Sequence, residues 1–326
     1  METTKGLFSP VVDATVRALY ETAKEEQSSE LYYQELGLNE YEPDVPEEVL
    51  QDISGFESAS LTGEGQEYAI VTRVKGYPVT LKMRKYTAKF EITEEDIHWM
   101  AKSGSSKRLT QLRDAISGFE ASMNDRWNKD ACKVFYLGFG TTFLTCGNSE
   151  ALFASHTLKT GSTQRNTFAS GDTHRALTAD ALVLAISLMN RFQAQNGQQL
   201  RKVKDLRLIV ATENAGTAYN IIDSLYGPTM NLNLNLASAQ ALARRGMTIK
   251  VVEASDIPAA YSAYWFLVDA NRAKNRAFIA YAWKPRMNQH NEYSKGSVIK
   301  TGSTLFGPVL LGWQWAFGST GSGSAI

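Results

Sequence analysis

The residues that could do chemistry are few. His156 and His174 lie in one polar stretch, and Asp172-Thr173-His174 offers a carboxylate, a hydroxyl and an imidazole, all metal-ligand types. A zinc site needs three or four convergent ligands. The sequence spaces no third ligand to join them, so both histidines are expected at the surface or in hydrogen bonds. Ser155 precedes His156 directly, but adjacency does not place a nucleophile over a base, and no Gly-x-Ser-x-Gly elbow occurs. Gly138 and Gly140 in "LGFGTTF" lack a third glycine, a phosphate-loop lysine and an acidic ribose partner, so a loop is expected there. Cys132 and Cys146 have neither zinc spacing nor a disulfide framework, and are expected as buried small hydrophobes in a reducing compartment. No catalytic residue, metal site or cofactor site is assigned. The expectation is a protein that works through its surfaces.

The elements that build such surfaces are easier to read. At 326 residues the chain has room for about two domains. Apolar content of 43% and charged content of 21% are ordinary for a globular protein. No run approaches the roughly 18 apolar residues of a membrane-spanning helix, and the N-terminus lacks the basic start and apolar core of a secretory signal. The formal net charge of zero hides an asymmetry. Residues 1–52 carry 13 acidic side chains against three basic ones, Lys5, Arg17 and Lys24, and the remainder carries the compensating +10. A flat total argues against a dedicated nucleic-acid binder. The acidic segment reads either as a solvated, partly helical surface or as an arm lying on a basic surface of its own or a neighbouring chain.

Along the chain, residues 10–37 suggest a helix, ended by the loop "GLNEYEPDVPEE" with Pro43 and Pro46. "EYAIVTRV" and the stretch from Val79 read as the two strands of a hairpin, with a turn at Lys75-Gly76-Tyr77-Pro78. In the second strand Val79, Leu81 and Met83 alternate with Thr80, Lys82 and Arg84. Two strands alone are marginal in water, so the apolar face needs a partner. Thr93 is expected as an N-cap with Glu94, Glu95 and Asp96 in the first turn. After "SGSS" the stripe Leu109, Leu112, Ile116, Phe119, Met123, Trp127 has the spacing of a long amphipathic helix. A Gly-, Ser-, Thr- and Asn-rich connection over 138–173 is followed by the helix "LTADALVLAISLMNRF", capped by Thr178 and stopped by Gly197. "DLRLIVA" reads as a strand, "ENAGTAYNIIDSL" as a helix, and "MTIKVVEA", "AYWFLVDA", "RAFIAYAW" and "GPVLLGWQWAFGS" as strands. Trp265, Trp283, Trp313 and Trp315 fall in these strands and are expected to pack in the core.

This order resembles the major capsid protein of tailed bacteriophages, with the α+β Hong Kong 97 phage-type fold. The most family-like stretch begins at "ALFASHTLKTGSTQRNTFAS" and continues through "LTADALVLAISLMNRFQAQNGQQLRKVKDLRLIVATENAGTAYNIIDS". "YWFLVDANRAKNRAFIAYAWKPRM" is similar to the strand pair that follows, and the texture is similar to the head subunits of Mu-like phages. The resemblance implies an N-terminal arm over 1–60 and an E-loop hairpin over 61–92. It implies a P-domain with a spine helix over 93–204 plus part of 286–326, and an α/β A-domain over 205–285. It further implies that the E-loop lies across a neighbouring subunit, with Val79, Leu81, Met83, Lys82 and Arg84 as contact candidates. Leu109, Leu112, Ile116, Phe119, Met123 and Trp127 would pack the spine helix. The partners implied are further copies of the chain in hexamers and pentamers, a separate scaffolding protein, a portal, and packaged DNA held without sequence specificity. No membrane, metal or cofactor is implied. A separate scaffold is expected because the hairpin is reached by about residue 63, leaving little room for a removable scaffolding segment. No asparagine or glutamate matches a lysine on the hairpin for a covalent cross-link. The expected setting is a virion assembled in the host cytoplasm. An encapsulin-type compartment shell has the same fold and is the first alternative; a cytosolic α/β enzyme is the second, and it lacks a polar constellation to work with.

Overall fold

The computed structural model describes residues 32–56, 67, 73–93, 95, 106–168, 174–226, 246–292 and 297–321. Among these, the chain divides into two compact units. One holds residues 83–128 and 281–307; the other holds 33–82, 129–280 and 308–321.

The first unit is a helix on a sheet. Strand β4 (Arg84–Thr93) pairs antiparallel with β11 (Ser297–Leu310), in register from Thr93↔Ser297 to Arg84↔Phe306. Strand β10 (Ala277–Glu292) borders β11 on its other side. Helix α1 (Ser106–Tyr136) supplies the apolar stripe foreseen from its spacing: Ile116, Phe119, Met123 and Trp127 are all buried. At 31 residues it is about 46 Å long. Trp127 stacks on Phe306 at 4.7 Å and donates its Nε1–H to Thr304 Oγ1 at 3.1 Å. Phe119 meets Phe90 and also covers Gly302, where an added Cβ would come within 2.5 Å of the Phe119 ring. Glycine on β11 thus lets the helix approach the strand closely. Leu109 and Leu112 lie on the helix, but their side chains are outside the described residues, as are residues 96–105.

The second unit contains a four-stranded sheet in the order β12 (Ala316–Ser319), β9 (Trp265–Asp269), β7 (Asp205–Ala211), β8 (Thr248–Ala254). β7 and β8 run parallel, β9 runs antiparallel to β7, and β12 antiparallel to β9. Helix α3 (Thr212–Tyr226) connects β7 towards β8 and packs on both. Near-continuous apolar runs such as "LIVA" and "WFLV" are what a sheet covered on both faces requires. Phe266 is packed against Phe135, Phe153 and Tyr264 with ring centroids at 5.5, 5.3 and 6.4 Å. Helix α2 (Ala179–Met189) buries Leu182, Ile186 and Met189, and Thr178 caps it by accepting the Ala181 N–H at 3.2 Å. Asp269 ends β9 and caps the short α4 (Ala270–Ala273) by accepting the Asn271 and Arg272 N–H groups. Burial raises the Asp269 pKa, and Arg272 opposes that rise.

Several boundaries depart from the sequence reading. Residues 33–37 form a turn instead of the end of a helix, because the Gln34 and Glu35 carbonyls accept from Arg207, to Glu35 at 2.8 Å. The following loop contains a strand, β1 (Asn39–Tyr41), parallel to β10 at Phe278–Ala280. Helix α2 stops at Met189, before Phe192, since the Asn190 side chain accepts the Val203 N–H. Gly197 serves a tight turn closed by its N–H to Ala194 O at 2.9 Å. "GPVLLGWQWAFGS" is two strands, the end of β11 and β12, separated by a turn in which Trp315 donates its indole N–H to Gly312 O. The Thr93 side of the foreseen helix start is the last residue of β4. The helix expected from residue 10, and most of "EYAIVTRV", lie outside the described residues.

Candidate assembly surface

The largest correction concerns the hairpin. Lys75-Gly76-Tyr77-Pro78 is no turn: it lies inside β3 (Arg73–Thr80), whose partner is the upstream β2 (Val49–Phe56). The pairing is antiparallel, with Val49↔Thr80, Leu50↔Val79 and Gln51↔Pro78, and shifts register on both sides of Ile53. Pro78 is tolerated because each strand of a two-stranded ribbon is an edge and needs no donor on its outer side. Gly76 faces the bulge, where a Cβ would sit 3.0 Å from both the Asp52 backbone oxygen and its Cβ. Strand composition alone could not reveal this, since Lys-Gly-Tyr-Pro contains two of the strongest turn formers.

The base of the ribbon is fastened to its own unit. Asp52, buried where β2 bulges, accepts from Arg276 Nε at 3.0 Å. Tyr77 donates to Thr157 O at 3.2 Å, beside the small hairpin β5 (Ser155–Thr157) and β6 (Thr163–Arg165), and Lys159 lies 5.2 Å over its ring. The Leu81 N–H donates to Glu48 O at 2.9 Å. Leu81 itself is 1% exposed, so its side chain belongs to the chain's own core. Val79 and Met83 are half-buried, while Lys82 and Arg84 are exposed. The alternation seen in sequence is therefore real, and the apolar side is partly closed within the chain.

Two other faces are open. Between β1 and β2 the segment Glu42–Glu48 carries Glu42, Asp44 and Glu47 in exposed positions, together with Val45 at 50% and Val49 at 62% exposure. Its neck is closed by Tyr41, which donates to Glu48 Oε2 at 2.7 Å. That hydrogen bond, with burial and the nearby acidic charges, pushes the Tyr41 pKa up to about 12. On β4 the side chains alternate. Tyr86 and Phe90 turn inward to Phe306 and Phe119, and Lys85, Thr87, Lys89 and Glu91 are exposed. Arg126 lies 4.4 Å over the Tyr86 ring.

The residues first considered for chemistry lie inside the protein. His156 is fully buried, flat against Trp313 at 4.6 Å, with Nε2 3.1 Å from Leu152 O and Nδ1 2.9 Å from Glu150 Oε2. Burial holds its pKa down at about 4, and burial raises that of Glu150. Burial disfavours the charged form of both groups. His174 is also buried, against the edge of Phe139, and burial lowers its pKa. Neither histidine is a surface residue. Cys132 and Cys146 are buried free thiols, the latter pushed up to about 12 by burial. Trp265, Trp313 and Trp315 are buried; Trp283 is half-buried on β10, with Arg286 4.4 Å over its ring. Among the described residues no three metal-ligating side chains are gathered, and no helix is long and apolar enough to cross a membrane.

Comparison with known proteins gives no matching family model and no matching curated protein. Solved structures do match. The capsid subunit of the native GTA particle covers 88% of this chain, and 89% of its own length is covered, at 13% identity and a TM-score of 0.52. The capsid of Myoviridae phage XM1 matches over 89% and 91% at 12% identity and a TM-score of 0.49. The virus-like particle from Pyrococcus furiosus matches over 94% and 98% at 9% identity, also at 0.49. The chain has the mixed α and β Hong Kong 97 phage-type capsid fold.

Proposed function

We propose that the protein is a major capsid subunit that assembles with copies of itself into a closed icosahedral shell around phage DNA. One observation carries this reading: a capsid subunit shares the fold over 88% of the chain. The open faces described above suit a part whose contacts are supplied by other copies. The role is structural, and the setting is the virion.

In this reading α1 is the spine helix of the P-domain (93–204 with part of 286–326), and the β7–α3–β8 module belongs to the A-domain (205–285). The N-terminal arm, assigned from sequence to 1–60, then ends before β2. The E-loop, assigned from sequence to 61–92, extends back to include β2, because residues 49–56 are the partner of β3. Val79, Met83, Lys82 and Arg84 remain contact candidates at its root. A scaffolding protein, a portal and packaged DNA are the further partners we assign.

Sedimentation velocity over a wide range of concentration and salt, with electron microscopy of the fastest species, tests the proposal. Capsomers or uniform closed particles are expected. A monomer under every condition, with or without a scaffold from the same source, would reject it.

A further inference from the structure

We propose that the acidic segment Glu42–Glu48 of one subunit docks on the basic outer face of β4 in a second copy, with Glu42, Asp44 and Glu47 opposite Lys85 and Lys89 and with Val45 and Val49 covered at the contact. The inference rests on the shell reading and names two surfaces that this reading leaves open.

The segment combines features that rarely coexist on a free surface. Val45 and Val49 are two of three large hydrophobic side chains left exposed among the described residues. Scattered exposed valines are ordinary, but here Val45 lies among three exposed carboxylates and Val49 follows them at the start of β2. None of Glu42, Asp44 and Glu47 has a cation within ion-pair distance among the described residues. The loop is also held in shape: β1 is paired to β10 on one side, β2 to β3 on the other, and Tyr41 and Glu48 tie the neck. A preorganised loop loses less conformational freedom on docking.

The receiving face is equally specific. Lys85 and Lys89 stand four residues apart on one side of β4, about 13 Å at ~3.3 Å per residue, with Thr87 between them. Both are exposed, and neither is paired with an acid among the described residues. The span from Glu42 to Glu47 is at most about 17 Å extended, so two carboxylates can meet two ammonium groups at once. Glu91, two residues further on the same face, would repel the loop and sets the end of the footprint. Opposite charges arranged this way fix orientation and speed encounter more than they add affinity. The valines supply the apolar part.

Disulfide trapping decides the contact. Subunits with Asp44→Cys are mixed with subunits carrying Lys89→Cys, with the buried Cys132 and Cys146 left in place. A covalent dimer on a non-reducing gel, formed by the mixture and by neither variant alone, is expected. No dimer in the mixture overturns the proposal. So does a double variant that gives only an internally bridged monomer. In a second arm, Lys85→Glu with Lys89→Glu should raise the concentration needed for particles at least tenfold, and a partner with Asp44→Lys and Glu47→Lys should restore it. If the lysine variant assembles normally and only loses retention of a double-stranded DNA oligonucleotide, the face serves nucleic acid and the proposal falls. Trapping is read on soluble subunits, so a wild-type chain that forms no particles would strike the shell reading while the dimer band still decides this contact. All four positions are exposed, and an unchanged thermal transition confirms that the variants fold.

Discussion

Strands β9 and β4 obey different rules. All five residues of β9 are buried, including Trp265, Phe266 and Asp269. In β4 every second side chain points outward, from Lys85 to Thr93. β9 sits between β12 and β7, so composition was free to become almost wholly apolar. β4 has one covered face and one face left exposed among the described residues. The contrast separates what stabilises the chain from what is left for the proposed contacts with other copies.

The largest expected effect lies at the closed end. Phe266→Ala should cost about 3–5 kcal/mol, a large fraction of a domain's stability, and calorimetry should show a grossly lowered or absent transition. A shift of only a degree or two would mean that this core tolerates a cavity and would weaken the contrast. Next comes Leu81→Ala, which should cost roughly 2–4 kcal/mol because the side chain is buried within its own chain. Were denaturant unfolding of the soluble subunit unchanged and only assembly impaired, Leu81 would belong with the open surface. Gly302→Ala places a Cβ against Phe119 and should cost about 1–3 kcal/mol through overpacking. Pairing it with Phe119→Leu should recover part of the loss, a result that a mere backbone effect would not give.

A smaller effect concerns pH. His156 is held neutral by burial, with its pKa lowered from the usual 6.5 to about 4. Below about 6.5 the unfolded chain binds the proton and the folded chain does not, so stability falls as pH drops towards 4. The raised Glu150 carboxyl acts in the opposite sense and softens the fall. The difference in melting temperature between pH 7 and pH 4.5 should therefore shrink in His156→Gln. The same slope in both proteins would remove His156 as its source. Smallest of all for the subunit is Val45→Ser with Val49→Ser. It should change subunit stability by less than about 0.5 kcal/mol, as for other exposed positions, while light scattering detects a higher assembly threshold.

The closed region was also the legible one. "DLRLIVA", the helix after it and the stripe Ile116, Phe119, Met123, Trp127 carry periodicities that only one structure satisfies, and each element stands where it was read. The ribbon was misread because Gly76 and Pro78 signal a turn locally. Their actual reasons are the close approach of Asp52 and an edge strand, both of which depend on residues far along the chain. The acidic loop was visible only as charge. That its valines would be left bare required knowing that Tyr41 and Glu48 close its neck. His156 illustrates the same limit: a polar sequence neighbourhood gave no sign of the Trp313 ring it lies against.

Strand β4 has one further consequence, for the order of synthesis. Among the described residues its only partner in the sheet is β11, so Arg84 waits for Phe306 and Thr93 for Ser297. β1 likewise waits for Phe278–Ala280. Pairings between residues so far apart are expected to form late, after the loop-closure entropy of about two thirds of the chain has been overcome. A nascent or truncated chain therefore cannot complete the strand that displays Lys85 and Lys89. In the proposed shell, only a copy finished through β11 would present that face, so incomplete copies would be excluded without any separate checking step.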